Sequence, residues 1–151
     1  MTKTVAGILR GKGYNIFSVN ANATVFEALQ VMANKSVGAL LVMEGDRLVG
    51  IMSERDYARK VILLGKSSRE AKVKEIMSDK VLYVHPHRTA EECMAIMIDK
   101  RIRHLPVIEN DTLVGVISIG DVVKAVIEEK SFVIEQLEEY ITGRKIPSEA
   151  R

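Results

Sequence analysis

The residues from Thr24 to Asp56 align with those from Thr89 to Asp121 at a constant offset of 65 and without a gap, and thirteen of the 33 pairs are identical. A self-match of this length at one fixed period marks a duplicated supersecondary unit. Whatever one half folds into, the other half folds into as well. The identities include Thr24/Thr89, Glu27/Glu92, Met32/Met97, Gly50/Gly115, Ser53/Ser118 and Asp56/Asp121. The register extends back to Val19/Val84, and a looser echo pairs residues 5–9 with 73–77 at a slightly longer offset.

Each copy carries the same order of signals. A short β-branched and aromatic stretch, 15–19 or 80–84, predicts a first strand. Thr24 or Thr89 then stands at a helix N-cap, with Glu27 or Glu92 three residues on to complete a capping box. Val25, Leu29 and Met32 follow at helical spacing and are expected to face the core. Two apolar runs, 39–43 and 48–52, flank Glu44-Gly45-Asp46-Arg47, and Asn110-Asp111 occupies the same place in the second copy, so a β-hairpin is predicted in both. A second helix is predicted from Ser53 to about Leu64, and from Ser118 into the tail.

The expected fold class is therefore mixed α/β (α+β): two β-α-β-β-α repeats packed as a pseudo-two-fold pair, with a long C-terminal helix. The linear division is 1–69 for the first repeat, 70–130 for the second and 131–151 for a helical extension and loose tail. Gly65-Lys66-Ser67-Ser68-Arg69 has the composition of a short connector. Beyond Asp121, the apolar residues Val123, Val126, Ile127, Val133, Ile134, Leu137 and Ile141 keep roughly helical spacing up to Gly143, a helix stop. That stripe covers either the chain's own surface or another subunit's.

Charge narrows the function classes. The 22 Lys+Arg and 20 Asp+Glu leave a net charge of +2, too balanced for a protein held on nucleic-acid phosphates or anionic lipid, so neither nucleic acid nor membrane is expected as a partner. The apolar runs are too short for a signal-peptide core or a membrane span, so a cytoplasmic location is expected by default. The single cysteine, Cys93, falls among Met94, Ile96 and Met97 as a small buried hydrophobe. His85 and His87 flank Pro86 as a solvated turn, and no metal site is expected. The chain shows no phosphate loop, nucleophile elbow or zinc-protease motif, so an enzyme is not expected.

The residues Thr24, Glu27, Val42, Leu48-Val49-Gly50-Ile51, Ser53 and Asp56, repeated as Thr89, Glu92, Leu105-Pro106-Val107, Leu113-Val114-Gly115-Val116, Ser118 and Asp121, carry a further reading. A β-α-β-β-α unit with Thr-x-x-Glu opening one helix and Ser-x-x-Asp opening the next resembles the CBS (cystathionine beta-synthase) domain. Two in tandem resemble a Bateman module, as in small stand-alone bacterial CBS-pair proteins. The resemblance implies a homodimer and related clefts between two repeats that hold an adenine nucleotide, AMP first, with ADP, ATP, NAD or S-adenosylmethionine as the other candidates. It implies no catalytic cofactor, and regulation of an unidentified partner protein.

Such a ligand needs an apolar slot for the base, a carboxylate for the ribose hydroxyls and positive charge or donors for phosphate. Asp56 and Asp121, at helix starts that follow apolar strands, are the expected ribose contacts. Ser53 and Ser118, with the helix-start N–H groups, would favour an anion, and Arg55 and Arg59 lie beside the first. Arg103 and His104 stand in the second copy where the first has Gly38 and Ala39, so the two sites should differ. Val19, Ile51, Val84 and Val116 are the expected base contacts. Ser-x-x-Asp is also an ordinary helix cap, and Thr24 and Thr89 are fully explained as caps. The rival reading is a ligand-free dimerisation or protein-interaction scaffold acting through the C-terminal helix.

Overall fold

The computed structural model describes residues 3–142. The chain forms two compact units that do not follow its linear order. A continuous unit comprises Asn15–Leu82, whereas a split unit joins the N-terminal segment through Tyr14 to the chain from Tyr83 onward.

In the continuous unit, β1 (Ser18–Asn20) runs parallel to β2 (Ala39–Glu44), which pairs antiparallel with β3 (Arg47–Ser53). The helix α2 (Val25–Lys35) links β1 to β2, and Thr24 caps it by accepting the Glu27 N–H. Its Val25, Ala28 and Met32 are buried against Leu40 and Val42 of β2 and Met52 of β3, while Leu29 is only partly buried. After β3 come α3 (Glu54–Tyr57) and a π-helical stretch, Ala58–Ile62, and Val61 returns to the core. A further short helix, α4 (Val73–Ile76), closes this core with Val73 and Ile76.

The split unit repeats the plan. Its hairpin is β4 (His104–Glu109) with β5 (Thr112–Ser118), and the two turn residues, Asn110 and Asp111, both take positive φ, as a two-residue type I′ turn requires. The helix α5 (Ala90–Lys100) opens with a complete capping box between Thr89 and Glu92. Its Cys93 is buried, and burial pushes the thiol up to about 11. The long α6 (Ile119–Thr142) follows β5. The predicted stop at Gly143 lies outside the described residues, as does the tail beyond it.

The predicted strand at 80–84 is reduced to one parallel bridge, Val84 to Val107. Two prolines account for this. In the continuous unit the ladder is extended by Leu41 N–H to the Phe17 carbonyl and by Ala21 N–H to the Met43 carbonyl. The equivalent donors at offset 65 are Pro106 and Pro86, which have no N–H. Only the two bonds of Val84 remain, and the carbonyl that Pro86 cannot reach, that of Ile108, accepts from His85 Nδ1 at 2.9 Å.

The weak echo of residues 5–9 in 73–77 proves to be structural. The helix α1 (Val5–Lys12), which leads into the first repeat, buries Val5 and Leu9 in the core of the split unit. Conversely α4, which leads into the second repeat, completes the core of the continuous unit. The glycines of the two strand motifs make room. A Cβ at Gly115 would lie 2.8 Å from Leu9 Cδ2, and one at Gly50 would lie 2.5 Å from Met77 Sδ and 2.9 Å from the Ser78 carbonyl oxygen. Side-chain ends can shift more readily than backbone, so the two positions differ in tolerance. Gly115→Ala and Gly50→Ala should each destabilise the chain by about 1–3 kcal/mol in urea titrations, with Gly50→Ala the worse of the two.

Candidate functional site

The two Ser-x-x-Asp motifs fold alike. In the continuous unit, Ser53 ends β3, and its Oγ accepts the Asp56 N–H at 3.2 Å while Asp56 Oδ2 accepts the Ser53 N–H at 2.9 Å. In the split unit, Ser118 ends β5, the Asp121 N–H donates to Ser118 Oγ at 3.2 Å, and Asp121 Oδ2 accepts the Ser118 N–H at 2.8 Å. The residue after each serine is also tied, Glu54 N–H to the Gly38 carbonyl and Ile119 N–H to the Arg103 carbonyl. Most of the helix-start N–H groups that the sequence offered to an anion are therefore spent on capping. What the motif delivers is a half-buried carboxylate fixed in orientation at the end of a hairpin.

An ammonium answers each carboxylate, by different routes. Lys60, one turn along, places Nζ 3.4 Å from Asp56 Oδ1 and donates to the Ile76 carbonyl at 2.9 Å. Lys12, from the end of α1, donates to Asp121 Oδ2 at 2.7 Å and to the Val116 carbonyl at 3.0 Å. The split unit has Ala125 at the place of Lys60, and the lead-in helices end differently. The short α4 gives way to extended chain, and Ser78 bridges Ile51 through both backbone groups. The longer α1 is still helical at the matching place, so a side chain takes the Val116 carbonyl instead.

His104 adds a third group in the split unit, paired across the hairpin with Ser118. Burial lowers the pKa of its imidazole, nearby Lys12 and Arg103 lower it further, and Asp121 opposes them. For Asp121, burial pushes the carboxyl up, but the hydrogen bonds from Lys12 and Ser118 outweigh it and hold the group below its usual value. At neutral pH the split unit thus presents a carboxylate, an ammonium and a neutral imidazole.

The remaining expected contacts are spread along the same elements. Val19 lies half-buried on β1 opposite Val42, and Ile51 half-buried on β3 opposite Leu41. Val116 is half-buried on β5, whereas Val84 belongs to the core of the split unit. Arg55, Arg59 and Arg103 are exposed. Sequence reasoning missed Lys12. For Lys12 the one available signal was the weak lead-in echo. Among the described residues no cluster of metal-ligating side chains occurs, and no helix is long and apolar enough to cross a membrane.

The CBS domain family model matches residues 12–62 and 73–128. A protein described as a signal-transduction protein with CBS domains, from Burkholderia ambifaria, superposes with a TM-score of 0.82 at 51% identity, over 83% of this chain and 95% of that one. The mitochondrial CBS domain-containing protein CBSX3 of Arabidopsis thaliana is 38% identical over 149 residues, 93% of this chain and 72% of its own length. A hexameric CBS-CP12 protein from bloom-forming cyanobacteria shares 31% identity at a TM-score of 0.72, over 82% of this chain and 71% of that one.

The charges make a prediction about His104. Its proton NMR titration should give a pKa below 6.5, and Lys12→Met should raise it by removing one cause of the depression. Because the unfolded imidazole takes up its proton at higher pH than the folded one, His104 should also cost stability as pH falls through about 6.5. A pKa that falls on Lys12→Met would contradict this.

Proposed function

The chain belongs to the CBS domain family, and we propose that it is a non-catalytic regulatory module that binds an adenine nucleotide at Asp56 and at Asp121. AMP is the first candidate ligand, followed by ADP, ATP, NAD and S-adenosylmethionine. The observation that supports this most is the duplicated carboxylate: in both units it is half-buried, held by its own cap and set beside apolar strand residues. Each carboxylate has a second oxygen beyond the one used in the cap, and two acceptor oxygens suit a ribose diol. Ile51 and Val19 would meet the base in the continuous unit and Val116 in the split unit, while Val84 acts from the core beneath. Arg55 and Arg59, or Arg103 with neutral His104, would meet phosphate. Ser53 and Ser118 contribute through the caps that aim the carboxylates.

Binding would make or break no bond. A nucleotide that favours one packing of the pair shifts its population, and a partner reads the shift. We place the chain in the cytoplasm, as a homodimer, with neither nucleic acid nor membrane as partner.

A second reading, an interaction scaffold, is favoured by α6. Its Ile127, Ile134, Leu137 and Tyr140 are exposed, Tyr140 at 89%, and a contiguous apolar patch on a monomer is a common mark of an interface. One relative of this fold is hexameric.

Two measurements separate these readings. In differential scanning fluorimetry, AMP at a hundredfold excess over its Kd should raise Tm by about 5–10 °C, and Asp56→Ala or Asp121→Ala should remove part of the shift. No shift with any of the five ligands, from protein carrying none, would contradict nucleotide sensing. In sedimentation equilibrium, Ile134→Asp should weaken self-association at least about tenfold, since a charge replaces a buried interface side chain. Self-association unchanged in that variant would remove α6 from the interface.

A further inference from the structure

Lys12 holds the group that the proposed function assigns to ribose. Its Nζ lies 2.7 Å from Asp121 Oδ2, across 109 residues of sequence, and its second contact is the Val116 carbonyl beside the expected base. The helix α1 does not need this contact to stay seated. Val5 and Leu9 are buried and Thr4 caps the start, so the body of the helix is held independently of its last turn, where exposed Gly11 and Lys12 and half-buried Gly13 place no side chain in the core. The Lys12 side chain remains 36% exposed, so it can leave without opening the core.

Its position along the chain gives that departure a consequence. Lys12 stands between Gly11 and Gly13, and Gly13 has φ 105, a conformation open chiefly to glycine. Two residues further on, after Tyr14, the chain leaves the split unit and enters the continuous one. In the continuous unit the corresponding ammonium, Lys60, comes from the same helical run as its carboxylate, so losing that pair frees no such segment.

We infer that Lys12 is a displaceable internal ligand of Asp121, a latch on the segment that connects the two units, and that a ribose hydroxyl taking the carboxylate expels the ammonium and releases residues 11–14. This rests on the nucleotide reading above and supplies it with a means of transmission: the ligand's diol replaces a bond that ties the connecting segment to the site. It also makes the site at Asp121 weaker for a bare nucleoside than its carboxylate alone would be, because Lys12 competes.

Adenosine is the probe, since it presents the diol without phosphate and gains nothing from the positive charge of Lys12. It is titrated by calorimetry into the full chain carrying Asp56→Ala, with and without Lys12→Met. The methionine variant should bind adenosine about three- to tenfold more tightly, the size of one partly exposed charge-assisted hydrogen bond. Unchanged or weaker binding, in a variant whose circular dichroism melt shows it folded, overturns the latch. On the unsubstituted chain, saturating adenosine should speed amide hydrogen exchange at Gly13 and Tyr14, and slowed or unchanged exchange there overturns it too. If neither Asp56→Ala protein gives heat with adenosine and AMP leaves the unsubstituted chain's Tm unmoved, it is the nucleotide reading that fails, and the latch with it.

Discussion

The contact of each lead-in helix with a side-chain-free strand position is what the rest of the structure depends on. Leu9 of α1 packs on β5 at Gly115, and Met77, at the end of α4, packs on β3 at Gly50. Any side chain at either glycine would occupy the space of the packed residue. The helix α1 precedes the first repeat yet fills the core of the unit built on the second, and α4 does the reverse. Neither repeat completes its apolar core with its own preceding segment. The duplication is therefore one of exchanged parts: the lead-in to the second repeat closes the core of the continuous unit, and the lead-in to the first closes the core of the split unit.

That exchange also shapes the chemistry. Both units present the same capped carboxylate, because both repeats keep Ser and Asp three apart after an apolar strand. Their cations differ because the counterpart of Lys60 is Ala125 and because the lead-in helices differ in length. The short α4 hands over to backbone pairing at Ser78, whereas α1 continues and delivers Lys12 to Asp121. With His104 and Arg103 on the same side of the duplication, where Gly38 and Ala39 stand in the other copy, the carboxylates have unequal electrostatic surroundings. The two copies thus hold one acceptor geometry and two charge environments.

Much of this was legible in the sequence wherever the signal was local. The hairpins follow from turn residues between apolar runs, the caps from Thr-x-x-Glu and Ser-x-x-Asp, and the long last helix from its apolar spacing. Pairing partners distant in sequence were not legible. The strand at 80–84 looked equal to its counterpart, but its ladder depends on N–H groups that Pro86 and Pro106 lack. Lys12 was not legible, since nothing within its own segment points to Asp121. The serine hydroxyls are engaged as caps, accepting the Asp56 and Asp121 N–H groups, the ordinary role that Ser-x-x-Asp also allowed. Leu29 faces the core as expected, packed at its edge, while Ala28 beside it is fully buried.

The central claim is that these two carboxylates are nucleotide acceptors, and native mass spectrometry of the full chain in excess AMP tests it most directly. Up to two AMP adducts per chain are expected, falling to one with Asp56→Ala or Asp121→Ala and to none with both substitutions. An adduct pattern that survives the double substitution unchanged, or the absence of any adduct on the unsubstituted chain, would contradict it.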